Sequence, residues 1–182
     1  ILVLGGDFLS HYMNWARRDV AVLFGDACGA VVIEASDKEV GLLAAKIGCE
    51  ADVKYAIQIT NLGSAYSRLS EEFLYVNWNF DGQEVFKRAV KCMAKACEDV
   101  LDQLGLSTDD ISLVVPHQAN SRILGALARR VGIPEEKMFV NVHKYGNSSA
   151  GTIPVALTEA LEEGRVNPGD YILSPTFGAG LT

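Results

Sequence analysis

Apolar positions follow two different periods along this chain, and the longest regular stretch is helical. From Glu84 to Leu104 they fall at Val85, Phe86, Ala89, Val90, Met93, Ala96, Cys97, Val100, Leu101 and Leu104. Three-and-four spacing of this kind belongs to a helix with one buried stripe. Gly105 stands where a left-handed residue ends such a helix. Ser107 followed by Asp110 predicts one further short helical turn. Leu113-Val114-Val115 then predicts a short buried strand closed by Pro116. Leu124, Leu127, Ala128 and Val131 predict a second helix, ended by Gly132. Phe139 to Val142 reads as a strand, Ile153 to Leu161 as a helix closed by Gly164, and Tyr171 to Ser174 as a last strand. Helix and strand alternating in this way predict α/β layers around a mostly parallel sheet.

The first part is less regular. Ile1 to Leu4 reads as a buried strand and Arg17-Arg18-Asp19 as a surface turn. Val20 to Phe24 and Ala30 to Glu34 read as two strands, with Gly25-Asp26-Ala27-Cys28-Gly29 as the tight turn between them. Residues 35 to 80 offer only short alternating stretches such as Tyr55 to Thr60. The chain opens on an apolar run without Met and stops just after a glycine-rich turn. Both ends are therefore read as cuts in a longer polypeptide, or as the ends of one piece of a cleaved one.

Composition narrows the function classes. A chain of 182 residues can bury one real core, and 49% hydrophobic with 21% charged residues is ordinary for a globular protein. No apolar run is long enough to span a membrane. A net charge of −7 argues against non-specific nucleic-acid binding. The four cysteines, Cys28, Cys49, Cys92 and Cys97, include no CxxC pair. Cys92 and Cys97 lie roughly 140° apart around a helix axis, so they share no face and no zinc site is expected. Free, mostly buried thiols in a reducing cytoplasm are the expectation.

Three unusual segments follow predicted strands: His117-Gln118-Ala119-Asn120, Gly146-Asn147-Ser148-Ser149 and Phe177-Gly178-Ala179-Gly180. In α/β folds, ligands gather at the carboxyl ends of strands, so the three are expected to converge. Taken singly, each has a plain reading. His117 is as readily a packed histidine at a strand end as a reactive one. Asn147 alone reads better as a turn or helix-capping residue. The glycine-rich segment is either a tight turn or a source of backbone N–H groups for an oxyanion.

Taken together, the three segments resemble the β-ketoacyl-acyl-carrier-protein synthase III family. The likeness includes Phe24-Gly25-Asp26 and Gly82-Gln83-Glu84-Val85-Phe86-Lys87, and runs over nearly the whole chain. It implies the α/β, thiolase-like layered αβαβα fold. Residues 1–36 would end the N-terminal half, and 37–182 would form the C-terminal half without its last strand. It implies a cytoplasmic acyltransferase that joins an acyl-CoA primer to malonyl-acyl-carrier protein with loss of carbon dioxide. Such an enzyme starts fatty acid or polyketide synthesis and has acyl-CoA as substrate, no permanently bound cofactor and no metal. Its partners are acyl carrier protein and a second copy in a homodimer.

Residue by residue, the resemblance makes His117 and Asn147 catalytic. His117 is expected as the neutral tautomer that donates an N–H. The backbone N–H of Ala179 would bind an oxyanion, in a position where the family usually has glycine. Arg18, Gly82, Phe86, Ala119, Asn120 and Phe177 would line the CoA/pantetheine path. Lys87, Arg122 and Arg130 would dock the carrier protein, whereas Arg88 and Arg129 read as a solvated helix face. The family's nucleophilic cysteine lies upstream of this segment. Two other readings are a non-catalytic carrier-protein- or CoA-binding homologue and a malonyl decarboxylase without condensation.

Overall fold

A computed structural model describes residues 1–38, 40–60 and 77–182. In chain order they form strand β1 (Leu2–Phe8), helix α1 (Arg18–Ala21), strands β2 (Asp26–Val32), β3 (Ile57–Thr60) and β4 (Asn77–Phe80), and the long helix α2 (Gly82–Leu104). Strand β5 (Ile111–Val114), helices α3 (Ser121–Val131), α4 (Val142–Tyr145) and α5 (Thr152–Glu162), and strand β6 (Tyr171–Leu173) complete it. Short 3-10 turns occupy Leu9–Tyr12, Glu135–Lys137 and Ser149–Gly151.

The amphipathic pattern becomes layers around β5. Ile111 and Val114 join a core shared by α2 and α3, including Ala89, Met93, Cys97, Ile123, Leu124 and Leu127. Leu113 and Val115 join a second core with Phe139 and with Ala156 and Ala160 of α5. The strand layer is thus covered by helices on both sides, as a two-faced apolar strand requires. Helix α2 starts at Asp81, whose Oδ1 accepts from the N–H groups of Gln83 and Glu84 at 3.1 and 3.0 Å. It ends at Gly105 with φ 65°, and α3 ends at Gly132 with φ 79°, both in the left-handed region where glycine has no Cβ penalty.

Several expectations from the pattern are corrected. Strand β1 exists but is largely exposed, with Leu2 and Leu4 at 60% and 66%. Beyond its pairing with β2, its Gly5 and Asp7 face meets Ala150, and Gly5 also approaches Pro154. Val20 to Phe24 is not a strand. The N–H groups of Val20 and Ala21 both return to the carbonyl of Arg17, so the chain coils into α1 and buries Val20 beside Leu9 and Trp78. The expected Gly25–Gly29 turn lies mostly inside β2, which pairs antiparallel with β1. Phe139 to Val142 makes no strand: Met138 forms a single bridge with Val114, and the chain then turns into α4. Ser107 to Asp110 is a turn closed by the Asp110 carboxylate, not a helix. In place of one mostly parallel sheet, the described residues form three two-stranded sheets: β5–β6 is parallel, whereas β1–β2 and β3–β4 are antiparallel.

A further pairing anchors the last residues. Glu50 and Leu181 exchange both backbone hydrogen bonds, at 2.9 and 2.8 Å, and the Asp52 N–H bonds Gly180 O at 3.1 Å. Arg88 of α2 holds the same segment through Glu50 at 3.1 Å and Asp52 at 3.7 Å.

Candidate active site

His117 is carried past the end of β5 by continued pairing with the chain beyond β6. Val115 N–H bonds Leu173 O and His117 N–H bonds Pro175 O, each at 2.9 Å. This places the histidine segment beside Pro175-Thr176-Phe177. The imidazole is 9% exposed, with Nδ1 2.7 Å from Thr152 Oγ1. Burial pushes its pKa from 6.5 down to about 4, so the ring is neutral at pH 7.

Gln118 is only 1% exposed and uses its whole amide. Nε2 donates to Pro116 O and Phe139 O at 2.9 and 3.1 Å, and Oε1 accepts from Asn141 N and Val142 N at 3.0 and 3.2 Å. It therefore ties the histidine segment to the chain entering α4. Helix α4 is held to α5 at Glu159, which accepts from Tyr145, Asn141 and Lys144. The Tyr145 hydroxyl is the largest cause of the lowered Glu159 pKa. Asn120 caps α3, accepting at Oδ1 from Ile123 N at 2.9 Å.

Asn147 is fixed from two sides. Its backbone exchanges hydrogen bonds with Leu23 O and Gly25 N at 2.9 and 3.0 Å. A Cβ on Gly25 would fall 1.9 Å from Tyr145 O, so only glycine admits this approach. The Asn147 side chain accepts at Oδ1 from Ser149 N at 2.9 Å, leaving its NH₂ unpaired among the described residues. Ser149 adopts φ 51°, a left-handed backbone that non-glycine residues seldom take and that clusters at functional sites.

The three segments converge as expected. His117, Ala119, Asn120, Asn147, Ser149, Phe177, Gly178 and Ala179 line one cavity of about 350 Å³. Its other walls include Phe24, Ile57, Trp78, Phe80 and Met93. Ala179 is not among the positive-φ residues, and its N–H has no partner among the described residues. A larger cleft of about 1410 Å³ adjoins the cavity; both are lined by Leu23, Phe80, Val85, Asn120 and Ile123. Gly82, Phe86, Lys87 and Arg122 line the cleft, as does Arg129, whose place there the sequence pattern did not indicate. Arg18 and Arg130 are exposed but line neither space. Arg88 is held in its ion pairs with Glu50 and Asp52, not solvated on a free face.

The cysteines depart from expectation. Cys28 and Cys49 are exposed, and Cys28 sits within β2 instead of a turn. Burial pushes the Cys97 thiol up to about 12 and also raises that of Cys92, which disfavours the thiolate in both. None of the four lines the cavity. Thr152 shapes the site without having been singled out by the sequence, and Gln118 and Ser149 were named only as parts of their segments, with no role of their own. For Thr152 the available signal was a hydroxyl at a helix start directly after a small-residue turn.

Comparison with known proteins agrees with this geometry. The family model described as 3-oxoacyl-[acyl-carrier-protein] synthase III, C terminal, matches residues 101–182, and the model for 3-oxoacyl-[acyl-carrier-protein] synthase III matches residues 1–51. A β-ketoacyl-[acyl-carrier-protein] synthase III 2 of Vibrio cholerae is 48% identical over 181 residues, covering 100% of this chain and 50% of that protein. The crystal structure of 3-oxoacyl-[acyl-carrier-protein] synthase III from Aquifex aeolicus superposes with a TM-score of 0.86 at 41% identity, over 99% of this chain and 54% of that one. The priming β-ketosynthase of the R1128 polyketide pathway gives a TM-score of 0.87 at 28% identity, over 100% of this chain and 54% of that one. The chain spans about half the length of the curated relatives it matches. With both family models, relatives over its whole length and the thiolase-like α/β architecture in agreement, the chain belongs to the 3-oxoacyl-[acyl-carrier-protein] synthase III family.

Proposed function

We propose that this chain supplies the decarboxylation half of a condensing site that joins an acyl-CoA primer to malonyl-acyl-carrier protein, starting fatty acid synthesis. The observation that carries the reading is the meeting of His117, the Asn147 amide and the Ala179 N–H around one cavity that opens to a larger cleft. Residues 1–36 and 37–182 belong to the two halves of the fold in this reading, and a homodimer is part of it. The primer acyl group sits on a cysteine thiol outside this chain. Malonyl thioester loses carbon dioxide, and the electrons of the broken C–C bond form an enolate. The enolate carbon attacks the acyl thioester, the new C–C bond forms, and the cysteine leaves as thiolate. Negative charge develops on thioester oxygens, where preorganised N–H donors lower the barrier most. The free Asn147 NH₂ and the Ala179 N–H have that character. Gly82, Phe86, Ala119, Asn120 and Phe177 are the pantetheine-lining residues of the proposal. Lys87 and Arg122 are the docking residues at the cleft; Arg18 and Arg130 act from its surroundings.

Intact-mass measurement of the full-length protein, with and without acetyl-coenzyme A, tests the covalent step. An acetyl adduct on a cysteine other than the four in this chain is expected. In the same protein, His117→Ala and Asn147→Ala should each lower malonyl decarboxylation by about 10²-fold or more while leaving acylation in place. Loss of acylation in a folded variant would refute these roles. A second reading is a malonyl decarboxylase without condensation, which would use His117 and Asn147 but need no cysteine. It would show carbon dioxide release with no adduct.

A further inference from the structure

Asn141, Lys144 and Tyr145 are spaced i, i+3 and i+4 across the single turn of α4, so their side chains leave one face of it. All three end on Glu159 of α5. Its Oε1 accepts from the Tyr145 hydroxyl at 2.6 Å and its Oε2 from the Asn141 NH₂ at 2.9 Å, and Lys144 Nζ lies 3.3 Å from both oxygens. The Asn141 NH₂ and the Lys144 ammonium can only donate, and the Tyr145 hydroxyl donates here. A carboxylate offers only acceptors and so satisfies the three together. Asn141 is buried and the Glu159 side chain is 16% exposed, so water is a poor substitute for these bonds.

The turn held in this way leads straight into Asn147. Tyr145 O packs against Gly25, and the Asn147 backbone pairs with Leu23 and Gly25. Those contacts set Asn147 against the first part of the chain. Gln118, next to His117, holds only the start of α4, at Asn141 N and Val142 N. Glu159 holds its far end, at Lys144 and Tyr145. Glu159 also stands seven residues beyond Thr152, whose Oγ1 lies 2.7 Å from His117 Nδ1. Seven residues make about two helical turns, so both side chains leave the same side of α5. One helix thus touches His117 at its first turn and the approach to Asn147 two turns later. Ala156 and Ala160 between and beyond them are buried with Leu113, which anchors that helix to β5.

We propose that Glu159 is a positioning residue: through Tyr145, Lys144 and Asn141 it fixes α4 to α5 and so sets the place of Asn147 relative to His117. This rests on the reading of His117 and Asn147 as a reactive pair. The free Asn147 NH₂ must lie where charge develops on a thioester oxygen, and a displacement of about 1 Å can remove as much as 10²-fold in rate. Neither the cavity nor the cleft is lined by α4 or by Glu159, so loss of this carboxylate should act on the chemical step and spare substrate binding.

The test is a double-mutant cycle in the full-length protein. Glu159→Ala should lower kcat for malonyl decarboxylation about tenfold, keep KM for malonyl-acyl-carrier protein within about twofold of wild type, and leave cysteine acylation in place. In Asn147→Ala protein, where the donor is already gone, the same change should remove less than about twofold further. Glu159→Gln keeps an oxygen for Asn141 and should recover most of the rate. A folded Glu159→Ala protein with the wild-type rate overturns the proposal, as does a second full tenfold loss, roughly, in the Asn147→Ala background. If Glu159→Ala does not fold, Tyr145→Phe, which removes the shortest of the bonds, takes its place in the cycle, with a smaller loss expected in wild type and none in Asn147→Ala. A wild-type rate in Asn147→Ala alone would overturn the reading of the site and the proposal with it. A slow Asn147→Ala with an additive Glu159→Ala would remove only the positioning role.

Discussion

At the scale of single residues, the site depends on side chains whose polar atoms are committed on one side and free on the other. Asn147 is committed at its oxygen and His117 at Nδ1. Gln118 has no free atom, so it acts on the site only through backbone. Burial of His117 also makes stability depend on pH. Its pKa falls from 6.5 to about 4 on folding. Between those values the unfolded chain binds more protons, so this group lowers stability as pH falls through that window, with no further loss below it. At about 1.36 kcal/mol per unit the loss is roughly 3 kcal/mol, as an order of magnitude. Denaturant unfolding of the full-length protein at stepped pH should show this slope, and His117→Gln should remove it. The His117 and Asn147 positions were visible in the sequence because their motifs are compact. The partners that tune them were not, because Thr152 is 35 residues from His117 along the chain and nothing local marks their contact.

At the scale of elements, legibility followed length and periodicity. Helix α2 repeats its apolar stripe over 23 residues and ends on a glycine, so its pattern overdetermines it. Val20 to Phe24 is too short for a period to separate strand from helix, and tertiary burial of Val20 decides for the helix. The glycines around β2 were misread for a physical reason. They mark close approach of backbones rather than a turn. Gly25 lies against Tyr145 O, so a methyl group there must push apart the two segments that position Asn147. Gly25→Ala should destabilise the fold by about 1–3 kcal/mol, the usual cost of overpacking. It should also slow decarboxylation more than it weakens substrate binding. Chemical denaturation and the split between kcat and KM would check both effects, and an unperturbed rate would show that Asn147 tolerates the shift.

Across the whole molecule, the acidic excess is not carried into the large cleft, where three cations meet three carboxylates. The chain carries −7 overall, yet Lys87, Arg122 and Arg129 line the large cleft among Asp19, Asp81 and Glu135. Charges at a rim act more on encounter than on the bound state. In full-length protein, Arg122→Glu should slow association with an acidic carrier protein and weaken its dependence on ionic strength. Stopped-flow binding at several salt concentrations would measure this, and an unchanged salt slope would remove Arg122 from the docking surface. Layering was legible from the alternation of helix and strand, whereas the mixed strand directions were not. The sequence order of β1 and β2 fits a hairpin or a crossover equally well until the register is known.

The pairing of Glu50 with Leu181 links events on two time scales. Amide protons at both positions leave only when that pair opens, and opening also frees Asp52 from Gly180, next to the Ala179 amide. Arg88 restrains the pair from α2 through Glu50, a partly exposed contact and therefore sensitive to salt. Deuterium uptake at residues 50 and 181 should accordingly rise in step in Arg88→Ala, and the loop around Ala179 should become softer without any change in the loop's own sequence.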